Sequence, residues 1–192
     1  MKTDSLTDLD KRYPNGAGTA DPEKTLLYSL IRHTQPEKVL EIGVSAGHMT
    51  CWLALALKNN NKGHLTSVDN FSRAHGGQAD TPVIPQKRVN MAGLAKWVTL
   101  VKSDSVEFLK KQADDSFDFV WVDADHSYEG AHADIMEALR VAKVGVGVHD
   151  VAQLYDGPRN ACRDIEKEQK IKGLWVPGYR GTWLYFKGAH YE

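Results

Sequence analysis

A short apolar run that ends in closely spaced small residues constrains this chain more than any other feature. The segment VLEIGVSAGHMT, residues 39–50, places Glu41, Gly43, Ser45 and Gly47 at alternate positions, and a helical pattern follows at once. Small residues let the backbone approach a bulky ligand, and a helix that begins at Gly47 directs free N–H groups toward the turn. The segment therefore predicts a strand, a nucleotide-binding turn and a helix.

Length and charge limit the classes of protein to consider. The 192 residues are 42% hydrophobic, which predicts a single domain over residues 1–192, with residues 1–20 as a flexible N-terminal arm. Lysine and arginine number 24 against 25 aspartates and glutamates, so neither nucleic acid nor an anionic membrane is the expected partner. No signal peptide or long apolar run is recognisable. We expect a cytoplasmic protein that acts on a small molecule, and a homo-oligomer is compatible with this.

Strand and helix patterns alternate along the chain without a linker or an internal repeat. Asp21-Pro22 predicts the start of a leading helix, because proline is favoured at the first helical position. Further helices are predicted from Gly47, from Asp104 to about Gln112, from about Tyr128 to Ala142, and from Gly157-Pro158 to about Lys170. Strands are predicted at residues 38–42, 64–68, 99–102, 117–122, 144–148, 174–176 and 182–186. Cys51 and Cys162 fall within helices and are expected to be buried, unreactive thiols.

This alternation predicts an α/β fold with a mostly parallel sheet, helices on both faces and a closing hairpin. Ligands bind such sheets at the carboxyl ends of the strands. Polar residues follow five predicted strands at this edge, namely residues 41–47, Asp69, Ser103 with Asp104, residues 123–126, and His149 with Asp150. We therefore expect one crevice that all five strand ends share.

The segment Ser72–Gln86 lacks periodicity and contains two glycines and two prolines. It is predicted to be a mobile loop over the crevice, as long loops often are. Arg73 and His75 could contact an acidic group of a ligand there, or only water. Near the hairpin, Trp175, Tyr179, Arg180 and Trp183 could line the crevice or a subunit contact.

Four segments together resemble the class I S-adenosylmethionine-dependent methyltransferases: EIGVSAGHMT, SVDNF, FDFVWVDADHSYEGAHADI and VGVHDV. The chain is most similar to small-molecule O-methyltransferases related to the caffeoyl-CoA and catechol enzymes, and to the macrocin O-methyltransferase and cephalosporin hydroxylase group. The resemblance implies a Rossmann-like, doubly wound sheet of about seven strands with one reversed strand. It also implies S-adenosylmethionine across the first strands and, in many members, a divalent cation at the ends of the fourth and fifth.

The cosubstrate is expected to contact residues of the first four strand ends. They are Glu41, Gly43, Ser45, Gly47, Asp69, Asn70, Ser103, Asp104 and Asp123. Asp69 could accept hydrogen bonds from two ribose hydroxyls, or it could be an aspartate that only orders its turn. Asp104 could bond the adenine amino group, and it could equally well cap its own helix. The resemblance places Glu41 near the amino-acid end of the cosubstrate.

The reaction itself is expected around Asp123, Asp125, His126, His149 and Asp150. Neighbouring strands lie about 4.8 Å apart, so Asp123 and Asp150 could share one cation. Methyl transfer needs a deprotonated acceptor oxygen, which a cation would favour and a nearby base would produce. The resemblance makes Asp123 and Asp150 metal ligands and Asp125 or His126 the base. An alternative is that Asp123 and Asp125 only cap the following helix.

Several relatives carry a carboxylate next to the metal ligand that comes later in the sequence, and this chain has His149 at that position. Magnesium prefers oxygen, so a set of Asp123, His149 and Asp150 would suit manganese, iron or zinc better. If His126 also turned inward, the set would approach the two-histidine, one-carboxylate pattern of oxygen-activating iron sites. That possibility supports a metal-dependent hydroxylase as an alternative function.

Two further alternatives belong to other functional classes. A nicotinamide-dependent oxidoreductase would share the sheet, but it calls for Gly-x-Gly-x-x-Gly, and Ser45 and His48 occupy the second and third glycine positions here. A nucleotide-binding module without catalysis is the other. The favoured interpretation is an S-adenosylmethionine-dependent O-methyltransferase, with a small-molecule acceptor and a possible Mg, Mn or Fe ion.

Overall fold

The computed structural model describes residues 21–72, 82–152 and 156–188, which form one seven-stranded sheet with helices on both faces. The strands run in the order β3-β2-β1-β4-β5-β7-β6 across the sheet. They are β1 (Lys38–Ile42), β2 (His64–Asp69), β3 (Val98–Lys102), β4 (Phe117–Val122), β5 (Ala142–His149), β6 (Leu174–Val176) and β7 (Thr182–Phe186). The predicted fold class is confirmed. The predicted arm, residues 1–20, lies outside the described residues.

One strand of the sheet runs against the others. Strands β1 to β5 pair in parallel, whereas β7 is antiparallel to both β5 and β6. The predicted closing hairpin is therefore β6 and β7, and β7 is the reversed strand. The strand order changes direction between β1 and β4, which is where open sheets of this type bind ligands. Ile42 lies beside Val122 in this pair, so the segments after both strands leave the sheet side by side.

Within the described residues, six helices and one short 3-10 turn accompany the strands. They are α1 (Asp21–Thr34), α2 (His48–Asn60), α3 (Val83–Met91), the turn Ala95–Trp97, α4 (Ser105–Lys110), α5 (Tyr128–Val141) and α6 (Asp156–Glu168). The helices predicted from the sequence are confirmed to within a few residues at their ends. None of the helices within the described ranges is long and apolar enough to cross a membrane.

Helix α3 corrects one expectation. Residues 83–86 were expected to belong to a loop over the crevice, but they form the first turn of this helix. Pro85 is compatible with helix there because the first-turn N–H groups have no partner within a helix, so a proline loses no hydrogen bond. Arg73 and His75 lie outside the described residues.

Two apolar clusters pack the sheet, one on each face. Leu27 and Leu53 belong to the cluster beneath α1 and α2, and Ile135 and Val146 belong to the cluster beneath α5 and α6. Both cysteines are free thiols in these layers, with exposures of 2% and 0%. Burial raises the pKa of the Cys51 thiol to about 12, so it stays protonated and unreactive. The expectation that both cysteines are buried and form no disulfide is confirmed.

Candidate functional site

The glycine-rich turn after β1 has a tight backbone that side chains would obstruct. Gly43, Ser45 and Gly47 have positive φ values of 91°, 50° and 79°, and Gly47 is the residue that precedes α2. A Cβ atom added at Gly43 would lie 2.0 Å from the backbone oxygen of Asp123. The turn after β1 therefore packs directly on the segment after β4, which joins the predicted cosubstrate site to the predicted reaction site.

Asp69 at the end of β2 holds this turn in place. Its Oδ2 atom accepts hydrogen bonds from the backbone N–H groups of Val44 and Ser45, at 2.7 and 2.9 Å. Its Oδ1 atom accepts one from Phe71 at 2.6 Å. A carboxylate offers about four acceptor positions, so roughly one is left for a ligand. The structure shows the turn-ordering role, and the geometry suits one ribose hydroxyl better than two.

Glu41 lies beneath the turn and is completely buried. Its Oε2 atom accepts hydrogen bonds from the hydroxyls of Thr50 and Ser67, at 2.7 and 2.6 Å, while Oε1 has no hydrogen-bond partner among the residues that the structure describes. Burial raises the pKa of Glu41 to about 8, since the carboxylate is removed from water. The residue therefore ties β1 to β2 and α2 as a largely neutral acid.

Three other predicted cosubstrate residues have local backbone roles. The Asp104 side chain accepts a hydrogen bond from the Glu107 N–H at 2.9 Å, which confirms the N-cap interpretation. Asn70 accepts one from the Ser72 N–H at 2.8 Å. The Ser103 N–H donates to the Asp69 carbonyl at 3.1 Å, so the ends of β2 and β3 are tied together. An adenine contact by Asp104 stays a prediction.

Helix α3 rests on the same turn. A Cβ atom added at Gly47 would come within 2.8 Å of the Pro85 side chain, and Arg88 donates a hydrogen bond to the Ala46 carbonyl. The helix that sequence patterns missed is thus part of the wall around the turn.

The predicted reaction residues meet at the ends of β4 and β5. Donor atoms of Asp123, His126 and Asp150 all lie within 4.8 Å of one another, which is close enough for one metal ion. The His126 Nε2 atom is 3.0 Å from Asp150 Oδ2 and 3.8 Å from Asp123 Oδ1. The Asp150 side chain is only 1% exposed, whereas those of Asp123 and His126 are 22% and 21% exposed. His126 therefore presents an imidazole at the rim of the cluster.

His149 occupies a different environment from the one predicted. Its Nδ1 atom is 3.0 Å from Asp123 Oδ1, and its Nε2 atom is 3.2 Å from an oxygen of Glu23. An imidazole that contacts carboxylates through both nitrogens has no lone pair left for a metal. This geometry favours a role for His149 in holding Asp123 over the predicted role as a metal ligand.

Glu23 is a site residue that the sequence did not reveal. It lies in the first turn of α1 and is 4% exposed, and its second oxygen accepts a hydrogen bond from the Gly181 N–H at 2.9 Å. An acidic residue in the first turn of a helix is common, because it favours the helix dipole. No local pattern could have indicated that this carboxylate lies against a histidine 126 positions away.

Arg180 completes the cluster from the turn between β6 and β7. Its guanidinium lies 3.2 and 3.4 Å from the two oxygens of Asp150. The sequence left two roles open for Arg180, in the crevice or in a subunit contact, and the structure places its guanidinium in the crevice. The Trp183 side chain is fully buried instead, and its indole donates to Glu166 at 2.9 Å.

Asp125 contributes to the start of α5 and does not join the cluster. Its Oδ1 atom accepts a hydrogen bond from the Ser127 N–H at 2.8 Å. Ser127 is the N-cap of the helix, and its hydroxyl accepts from the Gly130 N–H at 3.1 Å. The helix cap is therefore Ser127 and neither Asp123 nor Asp125, to which the alternative interpretation assigned that role, and Asp125 orders the turn before the helix.

Mutual contacts shift the pKa values of these groups. Burial alone would raise the pKa of Asp123, but His149 and His126 outweigh it and lower the pKa. Hydrogen bonds and ion pairing with Asp123 and Asp150 raise the pKa of His126 to about 9. Burial opposes the charged form of His149, yet its carboxylate neighbours raise its pKa to about 10.

A cleft of about 500 Å³ opens beside His126 and runs along α6 from Asp156 to Lys167. Most of the residues that line it are polar or charged, and they include Tyr128, Asn160, Arg163 and Asp164. The Tyr128 hydroxyl is 3.2 Å from Asp164. The cleft adjoins the cluster at His126, which is one of its lining residues.

Comparisons with known proteins identify relatives of this chain. Residues 40–151 match the family model described as a methyltransferase domain. The caffeoyl-CoA O-methyltransferase of Stellaria longipes is 27% identical over 165 residues, which are 83% of this chain and 63% of that enzyme's length. A protein of Mycobacterium sp. (strain KMS) that bears a provisional O-methyltransferase name is 30% identical over 178 residues, with 84% and 76% of the two chains covered.

The fold is also shared with solved structures. An O-methyltransferase of Streptomyces achromogenes involved in tomaymycin synthesis, solved with SAM, is similar with a TM-score of 0.66 and 21% identity. The similarity covers 92% of this chain and 85% of that one. It extends well beyond the glycine-rich turn, over most of the sheet and its helices.

Proposed function

The chain belongs to the methyltransferase domain family, and within it to the S-adenosylmethionine-dependent O-methyltransferases; we propose that it methylates a hydroxyl oxygen of a small polar molecule. One observation carries this proposal. The turn after β1 packs on the Asp123 segment so closely that no Cβ fits at Gly43. A sulfonium donor held at the turn and an acceptor held at Asp123 would therefore be neighbours, as a displacement reaction requires.

On the donor side, S-adenosylmethionine would be bound mainly by backbone groups and by one carboxylate. S-adenosylmethionine would lie along the turn of Gly43, Ser45 and Gly47, where small side chains allow close approach. Asp69 would accept one ribose hydroxyl with its remaining acceptor position. Asn70, Ser103 and Asp104 follow the neighbouring strands and would border the nucleoside, while Glu41 supports the turn from below.

His126 is the residue that would take the proton of the acceptor. It lies at the rim of the cluster, beside the polar cleft, whereas Asp125 is engaged at the start of α5. A base is most effective when its pKa is close to that of the group it deprotonates and to the working pH. Because the pKa of His126 is raised to about 9, its basic form is a minority at neutral pH and increases toward pH 9, nearer to the pKa of a phenolic hydroxyl, which is about 10. Activity should therefore rise with pH over this range.

A divalent metal would be held by Asp123 and Asp150, while His126, whose Nε2 atom lies within reach, would stay unbound so that it can act as the base. Two carboxylates suit magnesium or manganese. When bound, such an ion would stabilise the negative charge of the acceptor oxygen. The hydroxylase alternative needs two histidines at the ion, and no observation favours it because His149 contacts carboxylates through both nitrogens.

Two measurements test the proposal. Calorimetric titration should show binding of S-adenosylmethionine and none of NAD. Transfer of a labelled methyl group to a panel of phenols and sugars should then be lost in Asp123→Ala. Asp118→Asn is the matched control, because Asp118 lies at the opposite end of β4 and accepts hydrogen bonds from the Glu37 and Lys38 N–H groups. Absence of binding by the sulfonium compound would contradict the proposed function.

A further inference from the structure

A permanently charged group of the protein itself lies beside Asp150. The Arg180 guanidinium contacts both oxygens of this carboxylate, at 3.2 and 3.4 Å, and the Asp150 side chain is 1% exposed. A guanidinium stays charged at every pH at which proteins are folded. Asp150 is therefore a buried carboxylate that already has a permanent positive charge beside it.

The backbone around Arg180 is fixed, so this contact is built into the fold. The Arg180 carbonyl accepts a hydrogen bond from the Ala152 N–H at 2.7 Å, and the Gly181 carbonyl accepts one from Val151 at 3.4 Å. The Gly181 N–H donates to Glu23 at 2.9 Å. A Cβ atom at Gly181 would lie 2.9 Å from the Ala152 nitrogen, so the turn between β6 and β7 lies tightly against the end of β5.

We infer that Arg180 sets how strongly this site binds a divalent cation, because it competes with the ion for Asp150. Two positive groups cannot both approach the same buried carboxylate without strong repulsion. An ion at Asp123 and Asp150 must therefore displace the guanidinium or bind beside it. His126 differs from Arg180 in this respect, because an imidazole can lose its proton and its charge.

Arg180 is thus a specificity-determining residue for metal dependence and does not itself carry out a chemical step. With Arg180 in place, the site favours weak and readily reversed binding of metal, and it retains a fixed positive charge next to the acceptor when no ion is present. This inference rests on the proposed function only for the place of Asp150 in the reaction site. The competition itself is a property of the charges described above.

Binding of Mn²⁺ tests the inference without any activity measurement. The signal of free Mn²⁺ in electron paramagnetic resonance would be titrated with wild-type protein and with Arg180→Gln, at the same pH and ionic strength. We expect Arg180→Gln to bind the ion about 10- to 100-fold more tightly, the range in which neighbours of metal ligands change affinity. Arg180→Lys keeps the charge and should bind as weakly as the wild type.

Two more variants locate the effect. Arg32→Gln is the matched control for the loss of an arginine, because the Arg32 guanidinium donates to Asn60 at 2.6 Å, at the end of α1 away from the cluster. It should leave the Mn²⁺ affinity unchanged. Replacement of Asp150 by asparagine in the Arg180→Gln background should abolish the gain, which would place the ion at this carboxylate. Thermal melting of each variant would establish that it is folded.

Three results would overturn the inference: equal Mn²⁺ affinities of the wild type and Arg180→Gln, an equal gain in Arg180→Lys, or a gain that persists without Asp150. The proposed function is judged by a different measurement, the titration with S-adenosylmethionine. A protein that fails to bind the sulfonium compound could still show the Arg180 effect on Mn²⁺. The two failures are therefore distinguishable.

Discussion

The donor side and the reaction side of the crevice neutralise their carboxylates in different ways. On the donor side, Asp69 and Asp104 accept hydrogen bonds from backbone N–H groups of the segments they order. On the reaction side, Asp123 and Asp150 contact the side chains of His126, His149 and Arg180. Backbone donors cannot leave or change charge, whereas side chains can do both. The difference suits a fixed binding surface on one side and proton transfer on the other.

Removal of His126 should have the largest effect and would test the reaction side directly. His126→Gln should lower kcat by about 10²- to 10⁴-fold, the usual contribution of a general base. The affinity for S-adenosylmethionine, measured by calorimetry, should stay unchanged because the donor side is intact. His132→Gln is the control, since His132 contacts Glu168 at 3.2 Å on the outer face of α5 and α6. Normal turnover in His126→Gln would exclude this residue as the base.

Loss of Asp69 should affect the donor side alone. Asp69→Ala leaves three backbone N–H groups without their acceptor. We expect the dissociation constant for S-adenosylmethionine to rise by about 10- to 100-fold, because hydrogen bonds to a charged group contribute about 1.5–3 kcal/mol each. Asp69→Asn keeps an acceptor oxygen and should lose less affinity for S-adenosylmethionine. A change in kcat at saturating cosubstrate, with no change in binding, would contradict the division between the two sides.

Glu23 offers a finer test, because it acts on the reaction side from a distance. Glu23→Gln removes the charge that faces His149 and should leave the imidazole less firmly held against Asp123. We expect kcat to fall by about tenfold, as for other groups that orient a site residue from behind, with little change in KM for the cosubstrate. Glu37→Gln is the matched control, since Glu37 pairs with Lys62 at the surface. An equal loss in cosubstrate binding would show that Glu23 supports both sides.

Asp134 should give the smallest effect, and its carboxylate contacts neither a cation nor a backbone donor within the described residues. It lies in α5 and is 1% exposed, and a hydrogen bond with Ser105 only partly offsets its burial. Burial raises its pKa from 3.8 to about 6, and the charges of Asp104 and Asp125 add to this. The folded state therefore holds the proton more tightly than the unfolded state does, so stability falls as the pH rises from about 4 through 6.

Asp134→Asn has no proton to lose and escapes this penalty. Above pH 7 the variant should be more stable than the wild type by about 1–2 kcal/mol, and the gain should vanish near pH 4. Urea unfolding at pH 8 and pH 4 measures both values. Asp114→Asn changes an exposed partner of Arg140 and should alter stability little at either pH. A gain of equal size at both pH values would mean that ionisation is not its cause.

The sequence predicted the sheet and the donor side well because both depend on local patterns. The apolar periodicity defined all seven strands, and the spacing of Gly43, Ser45 and Gly47 indicated the turn. Asp104 followed by Glu107 is likewise a cap motif that can be recognised within four residues. Helix α3 was missed because Pro82 and Pro85 suggested a loop, although a proline in the first turn leaves a helix intact.

The sequence predicted which residues form the reaction side, but not which of their side chains contact one another. The cluster residues follow strand ends, so their proximity could be expected from topology. The contact between His149 and Glu23 could not be expected, because Glu23 is 126 positions away and reaches His149 through the packing of α1. Arg180 was assigned to either the crevice or a subunit contact, and only the pairing of β5 with β7 places its turn beside Asp150. Tertiary contacts, not local propensity, decide which charges meet there.

The contact between Gly43 and Asp123 limits how a chain of this kind can diverge. With the backbone oxygen 2.0 Å from where a Cβ would lie, no substitution at Gly43 can be accommodated unless the segment after β4 moves. The donor side and the reaction side of the crevice therefore have to keep the same spacing at this point as the sequence changes. Variation in what is methylated has to arise further out, in the turn between β6 and β7 or along the cleft beside α5 and α6, where side chains can change without separating donor from acceptor.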